Sequence, residues 1–211
     1  MCGRFAVTTT QDDILEAFDV DAATAPLDPG ARRDVRPTQE IGVVRTAGEG
    51  RSFDVMRWGF LPRWYKAPSD GPLLINARSE TLAEKPAFRE ACRQRRCLIP
   101  ADGFYEWQSL PDAKKKRVHW LAPHAGGLVA FAGIWQEGNG PDGRVNSVAI
   151  VTTAASNDLN HLHHRLPLVI GHNDWPLWLG EAGKGAARLM QVPMEGFWDV
   201  TPDRGPVETL L

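Results

Sequence analysis

Cys2 is the residue whose place in the chain carries the most chemistry. A small second residue permits removal of Met1. The new terminus would then hold an α-amine and a thiol on adjacent carbons, two nucleophiles that titrate within about two units of neutrality. The adjacent ammonium is expected to lower the thiol further. Gly3-Arg4-Phe5-Ala6-Val7 reads as a buried strand, which would fix such a terminus inside the fold. An incidental cysteine at a frayed end is the alternative.

Polar residues set in apolar, strand-like text give the second signal, because burying them without a partner costs about 1 to 3 kcal/mol, and more for a charge. Glu106 lies in Ile99-Pro100-Ala101-Asp102-Gly103-Phe104-Tyr105-Glu106-Trp107, where flanking aromatics favour the neutral acid that a proton donor needs. An ion pair with an arginine is the other reading. Asn76 ends the apolar run Leu73-Leu74-Ile75, placed either to orient a reacting group or to cap the next turn. His161, His163 and His164 crowd one stretch. Two of them on one strand face would supply only two metal ligands, and no carboxylate or cysteine stands at zinc-site spacing, so we expect no metal and no cofactor. Acid–base work by one histidine remains open. Arg4, Arg33, Arg36, Arg57, Arg63, Arg78 and Arg165 recur beside turns and aromatics such as Trp58, Phe60, Trp64 and Tyr65. This mixture suits a groove that holds phosphates while flat side chains take unstacked bases.

The elements that must position these residues are mostly strands, since apolar positions alternate or form short runs. Strands are expected over 3–7, 41–45, 52–57, 96–99, 103–107, 117–122, 128–135, 145–152 and 166–170. A helix should begin near Thr10, where Thr10 and Asp13 make a capping-box-like pair ahead of Ile14, Leu15 and Phe18. A second should start near Pro86 and turn Phe88, Ala91 and Cys92 inward. Shorter helices are expected over 155–162 and 173–179, an Ala/Pro/Gly-rich loop over 22–31, and exposed loops or strand ends over 48–51, 114–117 and 137–143. The fold class is α+β: one domain over 1–211, with a large, mainly antiparallel or mixed β-sheet or barrel-like core and a few short helices.

Composition bounds the class. With 43% hydrophobic and 24% charged residues among 211, the chain is an ordinary globular one. No run approaches the roughly 18 apolar residues of a membrane span, and the N-terminus lacks a signal peptide's apolar stretch, so a cytoplasmic place is expected. A formal charge of -2 requires any nucleic-acid surface to be a local groove. Cys2, Cys92 and Cys97 form no C-x-x-C pair, and no disulfide framework is expected.

With these residues in view, the chain resembles the SRAP (SOS-response-associated peptidase) family, which senses abasic sites in single-stranded DNA. The resemblance runs in order through Met1-Cys2-Gly3-Arg4-Phe5, Arg36-Pro37-Thr38-Gln39, Arg57-Trp58-Gly59-Phe60-Leu61-Pro62-Arg63-Trp64, Asn76-Ala77-Arg78-Ser79-Glu80-Thr81, Arg96 to Trp107, Phe131-Ala132-Gly133-Ile134-Trp135 and His163-His164-Arg165-Leu166-Pro167. It implies that Cys2 bonds covalently to the abasic sugar, with Asn76, Glu106 and His163 on the family's active-site positions. It further implies that Arg4, Pro37, Trp64, Arg78 and Arg165 contact DNA. The partner implied is single-stranded DNA carrying an abasic site, met by a monomer that is nucleoid-associated in a bacterium, with lyase and thiol peptidase activities, including Met1 removal, in the family's repertoire. Leu166 stands where the family has Met, a volume-conserving exchange. Three rivals use the same residues differently: a glutamine amidotransferase that shares only Met-Cys-Gly, a Cys2–His163 peptidase, and a single-strand-binding module in which Cys2 is incidental.

Overall fold

The computed structural model describes residues 2–23, 32–109, 116–140 and 143–203. Thirteen strands and three short α-helices follow in chain order: β1 Arg4–Val7, α1 Gln11–Ala17, β2 Ala22–Ala23, β3 Arg32–Val35, β4 Glu40–Ala47, β5 Gly50–Trp58, β6 Asn76–Arg78, α2 Arg89–Gln94, β7 Arg96–Ala101, β8 Gly103–Gln108, β9 Arg117–Pro123, β10 Val129–Gly140, β11 Gly143–Ala154, β12 Arg165–Pro167, α3 Trp175–Leu179 and β13 Trp198–Asp203.

Two sheets result. One is antiparallel, in the order β13-β9-β8-β1-β3, and so places the first strand between two partners. The other runs β12-β11-β10-β7-β4-β5-β2, and a parallel contact of Ser147 and Val148 with Arg57 and Trp58 joins β5 back to β11. That last pairing closes five strands into a barrel-like ring, which removes the open edges a flat sheet would expose. The expected α+β fold with a barrel-like core is what forms. The β4–β5 hairpin turns through Gly48 at φ 63, a backbone value that glycine adopts without strain.

Aromatic side chains weld the sheets together. Phe131 on β10 is fully buried, with its ring centroid 6.1 Å from Phe5 on β1, 6.2 Å from Phe104 on β8 and 6.5 Å from Trp198 on β13. Phe5 also meets Trp58 edge-on at 5.2 Å, so the first strand is gripped by the barrel as well as by its own sheet. The Thr10 cap forms as expected, its hydroxyl accepting from the Asp13 N–H at 3.2 Å.

Several expectations change. Residues 155–162 form successive turns instead of a helix: Leu159 and Asn160 both donate to the Ser156 carbonyl, and Ala155 N–H bonds to the His164 carbonyl at 3.0 Å, closing the segment into a compact loop. His161 and His163 therefore share no strand face. Of the two readings for 137–143, the strand end holds at 137–140 and 143, in the β10–β11 ladder, where Gly138 leaves room that a Cβ 2.8 Å from Leu61 would take. The second helix starts at Arg89, after turns that include Pro86. Gly50 and Arg51 lie in β5, Arg117 opens β9, and Ala22–Ala23 pair with β5, whereas 24–31 and 114–115 fall outside the described residues.

Phe131→Ala should cost about 3 to 5 kcal/mol of stability, the price of a cavity at the junction of the sheets. Urea unfolding at pH 7 measures it; a loss below about 1 kcal/mol would mean the sheets are joined elsewhere.

Candidate active site

Cys2 stands two residues before β1, and that strand is fixed in register by Arg4 opposite Tyr105 and Phe5 opposite Phe104. The residue is fully buried, in the same core cluster as Phe5, Trp58, Phe104 and Leu162. Its carbonyl accepts a 2.9 Å hydrogen bond from Asn76 Nδ2. Asn76 opens β6, held parallel to β11 with Asn76 opposite Ile150, so its amide reaches the chain terminus from the barrel. Asn76 caps no turn: the 3-10 turn that follows has Arg78 at its cap position and no side-chain cap bond. The other amide atom, Asn76 Oδ1, is buried without a hydrogen-bond partner among the described residues.

Glu106 lies on β8 on the same face as buried Phe104 and is 4% exposed. Its Oε1 accepts from the Trp107 N–H at 3.2 Å. Opposite it on β9 is buried His119, whose Nε2 lies 3.1 Å from Gln108 Oε1; Gln108 in turn donates to the His161 carbonyl at 3.1 Å. This relay of side chains ties the strand of Glu106 to the loop of His163. Between the two lies a cleft of about 570 Å³, lined also by Trp107, Lys116 and His164.

His163 is half-buried, its ring 4.4 Å from His164 and nearly parallel to it. His163 Nδ1 lies 2.9 Å from the Arg165 N–H and 3.1 Å from the Arg165 carbonyl, so the backbone of Arg165 orients the ring. Burial pushes the imidazole below its ordinary range, against an opposite pull from Glu106, so the ring is a neutral base or donor at pH 7. In the chain that keeps Met1, the Cys2 thiol shifts the other way from the imidazole. Burial, and then the charge of Glu106, push it well above the usual thiol range, and the N-terminal charge opposes this only in part. The arrangement thus offers a protonated thiol, a neutral imidazole and a buried carboxyl around one chain terminus.

The family model described as SOS response associated peptidase (SRAP) matches residues 1–202. The chain belongs to the SRAP family. Abasic site processing protein YoqW of Bacillus subtilis (strain 168) is 36% identical over 180 residues, covering 85% of this chain and 80% of its own. Abasic site processing protein YedK of Escherichia coli (strain K12) is 31% identical over 194 residues, covering 90% and 85%. Abasic site processing protein HMCES of Mus musculus is 28% identical over 181 residues, covering 70% of this chain and 51% of its own. A solved protein from Bacteroides thetaiotaomicron shares the fold, with a TM-score of 0.85 at 18% identity over 96% of this chain and 92% of its own.

The SRAP residues expected at DNA divide into exposed and committed groups. Arg78 is exposed on β6 and, two residues from Asn76, shares its strand face. Trp64 is 59% exposed beside Tyr65. Pro37 sits in a tight turn in which Thr38 takes φ 75, held by Thr38 N–H to the Trp58 carbonyl at 2.7 Å. Arg4 bonds Asp34 at 2.7 Å, and its guanidinium lies 5.8 Å from the Trp107 ring, on the wall of the cleft. Arg165 is buried instead of facing a groove. Its two amino groups grip Glu80 at 2.6 and 2.9 Å, and one also donates to the Thr152 carbonyl at 2.5 Å. That clamp fixes the backbone N–H that orients His163, and it ties the His163 loop to the segment that follows Asn76. Asp34, Glu80, Gln108 and His119 do not stand out in the sequence, because each acts through a partner distant in the chain; Glu80 enters only as part of the motif from Asn76 to Thr81. No group of three or more metal-ligating side chains occurs among the described residues.

Arg165 holds the Glu80 carboxyl below its ordinary range, so the pair contributes stability above the unfolded value of about 4.3 and loses it as pH falls through the lower folded value. The stability gap between the unsubstituted chain and Glu80→Gln should therefore be largest near pH 7 and shrink below about pH 4. Urea midpoints at pH 7, 5, 4 and 3 check it; a gap independent of pH would mean the bridge carries no folding energy.

Proposed function

We propose that the protein recognises an abasic site in single-stranded DNA and closes a thiazolidine crosslink to it through the mature terminus at Cys2. The observation that carries this reading is the Asn76 bond to the Cys2 carbonyl, which holds a buried terminus against Glu106 and His163. Relatives named for abasic site processing, at up to 36% identity, support the substrate.

The chemistry follows from the groups present. An opened abasic deoxyribose exposes an aldehyde. The α-amine of Cys2 adds to its carbon, and the carbinolamine loses water when Glu106 or His163 protonates the departing hydroxyl, leaving an imine. The Cys2 sulfur then adds to the imine carbon while its proton passes to the nitrogen through the same carboxyl. One water is released and no other reagent is consumed. Closure is intramolecular, with effective molarities of about 10⁵ M or more, so the ring forms before water returns the aldehyde. A neutral thiol suits this order, with the amine acting first and the sulfur trapping. Arg4, Arg78, Pro37 and Trp64 are proposed to meet the strand; Arg165 would do so only by exchanging Glu80 for a phosphate. We place the protein as a cytoplasmic monomer, with Met1 removal the one peptide cleavage that the mechanism requires.

The purified chain should give a heat-stable, gel-shifted adduct with an abasic oligonucleotide, lost in Cys2→Ala and in a form that keeps Met1. Glu106→Gln should slow single-turnover crosslinking by about 10² while intact single strands bind within a few-fold. A Glu106→Gln variant that binds poorly yet reacts normally at saturation would make Glu106 structural. Arg78→Ala should flatten the salt dependence of binding by about 0.7 in slope.

A further inference from the structure

A second cavity, of about 500 Å³ and cationic, lies away from the cleft between Glu106 and His163, toward the tip of the β10–β11 hairpin. Asn76 pairs with Ile150, whereas this cavity is built at Gln136, opposite Ser147, and Asn139, opposite Arg144. At about 3.3 Å per residue it begins some 10 Å and ends some 20 Å along β11 from the residue that holds the terminus.

Its walls pair charge with a flat ring. Arg63 and Arg95 each lie 3.1 Å from the same carboxylate oxygen of Glu90, and Arg144 bonds Glu137, so three guanidinium groups face two carboxylates. The surplus is local, because the whole chain carries a formal charge of -2. Arg95 forms the inner wall: it donates at 2.8 Å to Gln136 Oε1, Gln136 is 4% exposed, and Arg95 Nε is buried with no hydrogen-bond partner among the described residues. Arg144, with 80% of its side chain exposed, stands at the rim. Trp135 is half-buried in the wall, with the Arg45 guanidinium 5.2 Å from its ring.

The cavity is rigidly joined to the exposed Trp64. Leu61 N–H donates to Ser147 Oγ at 2.9 Å, and Asn139 Nδ2 donates to the Tyr65 carbonyl at 3.0 Å, fastening the loop of Arg63 and Trp64 to the hairpin at both ends. Guanidinium donors beside an indole and an amide match a phosphodiester with its base, the combination by which single strands are held.

We infer that this cavity is a second subsite for the single strand, taking a phosphate and its base a few nucleotides from the lesion. The inference rests on the DNA-binding reading above and extends the strand's path from the cleft of Glu106 and His163, past Trp64, to the hairpin.

Fluorescence anisotropy with an undamaged fifteen-nucleotide oligothymidine (the fifteen-mer) at several salt concentrations tests it. Arg144→Ala should flatten the slope of log K against log salt by about 0.7, and Arg63→Ala/Arg144→Ala by about 1.4. Exposed Arg188→Ala, outside this cavity, should leave the slope unchanged. An unchanged slope in Arg144→Ala overturns the subsite, as does a loss matched by Arg188→Ala. So does a cavity that binds an acidic peptide while fifteen-mer affinity is unaffected. Flattened slopes in a protein that never crosslinks an abasic strand would uphold the subsite and overturn the crosslinking reaction; normal crosslinking with unchanged slopes would do the reverse.

Discussion

The residues next to a chain terminus are ordinarily among the loosest of a protein, and here Cys2 is pinned at the centre. β1 is hydrogen-bonded on both sides, by β3 and β8, and its Phe5 is wedged between Trp58 and Phe131. Cys2 is thereby buried, and its last freedom is taken by the Asn76 bond from the other sheet. Every other feature of the site refers to that fixed point. Because the ordering entropy is met by folding, a reacting sugar has only its own freedom to lose.

Burial also sets the electrostatics. The interior raises the Cys2 thiol and lowers the His163 imidazole, in each case favouring the neutral form. Glu106 acts on both, opposing ionisation of the thiol and favouring protonation of the imidazole. The carboxyl is thus the group through which the other two sense each other. Two clamps keep it at working distance: the His119–Gln108 link to the His161 carbonyl, and the Glu80–Arg165 bridge behind His163. Neither clamp needs to touch substrate. Both set the width of the cleft in which a sugar must turn.

Much of this was legible in the sequence. The capping pair at Thr10, the alternating strands from Ile41 to Ile150 and the polar Glu106 between aromatics carry their structural meaning in adjacent residues. What was hidden depends on distant partners. Arg165 reads as one more basic residue until Glu80, 85 positions away, turns it inward. The turn-forming segment 155–162 has helical spacing, but the Ala155–His164 bond closes it first. Strand β3, Arg32–Val35, has three charged residues in four and is recognisable only once β1 lies beside it. Complete burial of Cys2 is likewise a property of the whole fold and not of its neighbours in the chain.

The central claim is that amine and thiol of one residue both bond to one sugar carbon. High-resolution mass spectrometry of the protease- and nuclease-digested adduct, after treatment with an alkylating agent, tests it most directly. The account predicts an N-terminal peptide beginning at Cys2 that carries the sugar remnant less one water, with its sulfur unalkylated and no reductant needed to preserve it. A remnant found on a lysine, or a Cys2 sulfur that still takes the alkylating group, would contradict it.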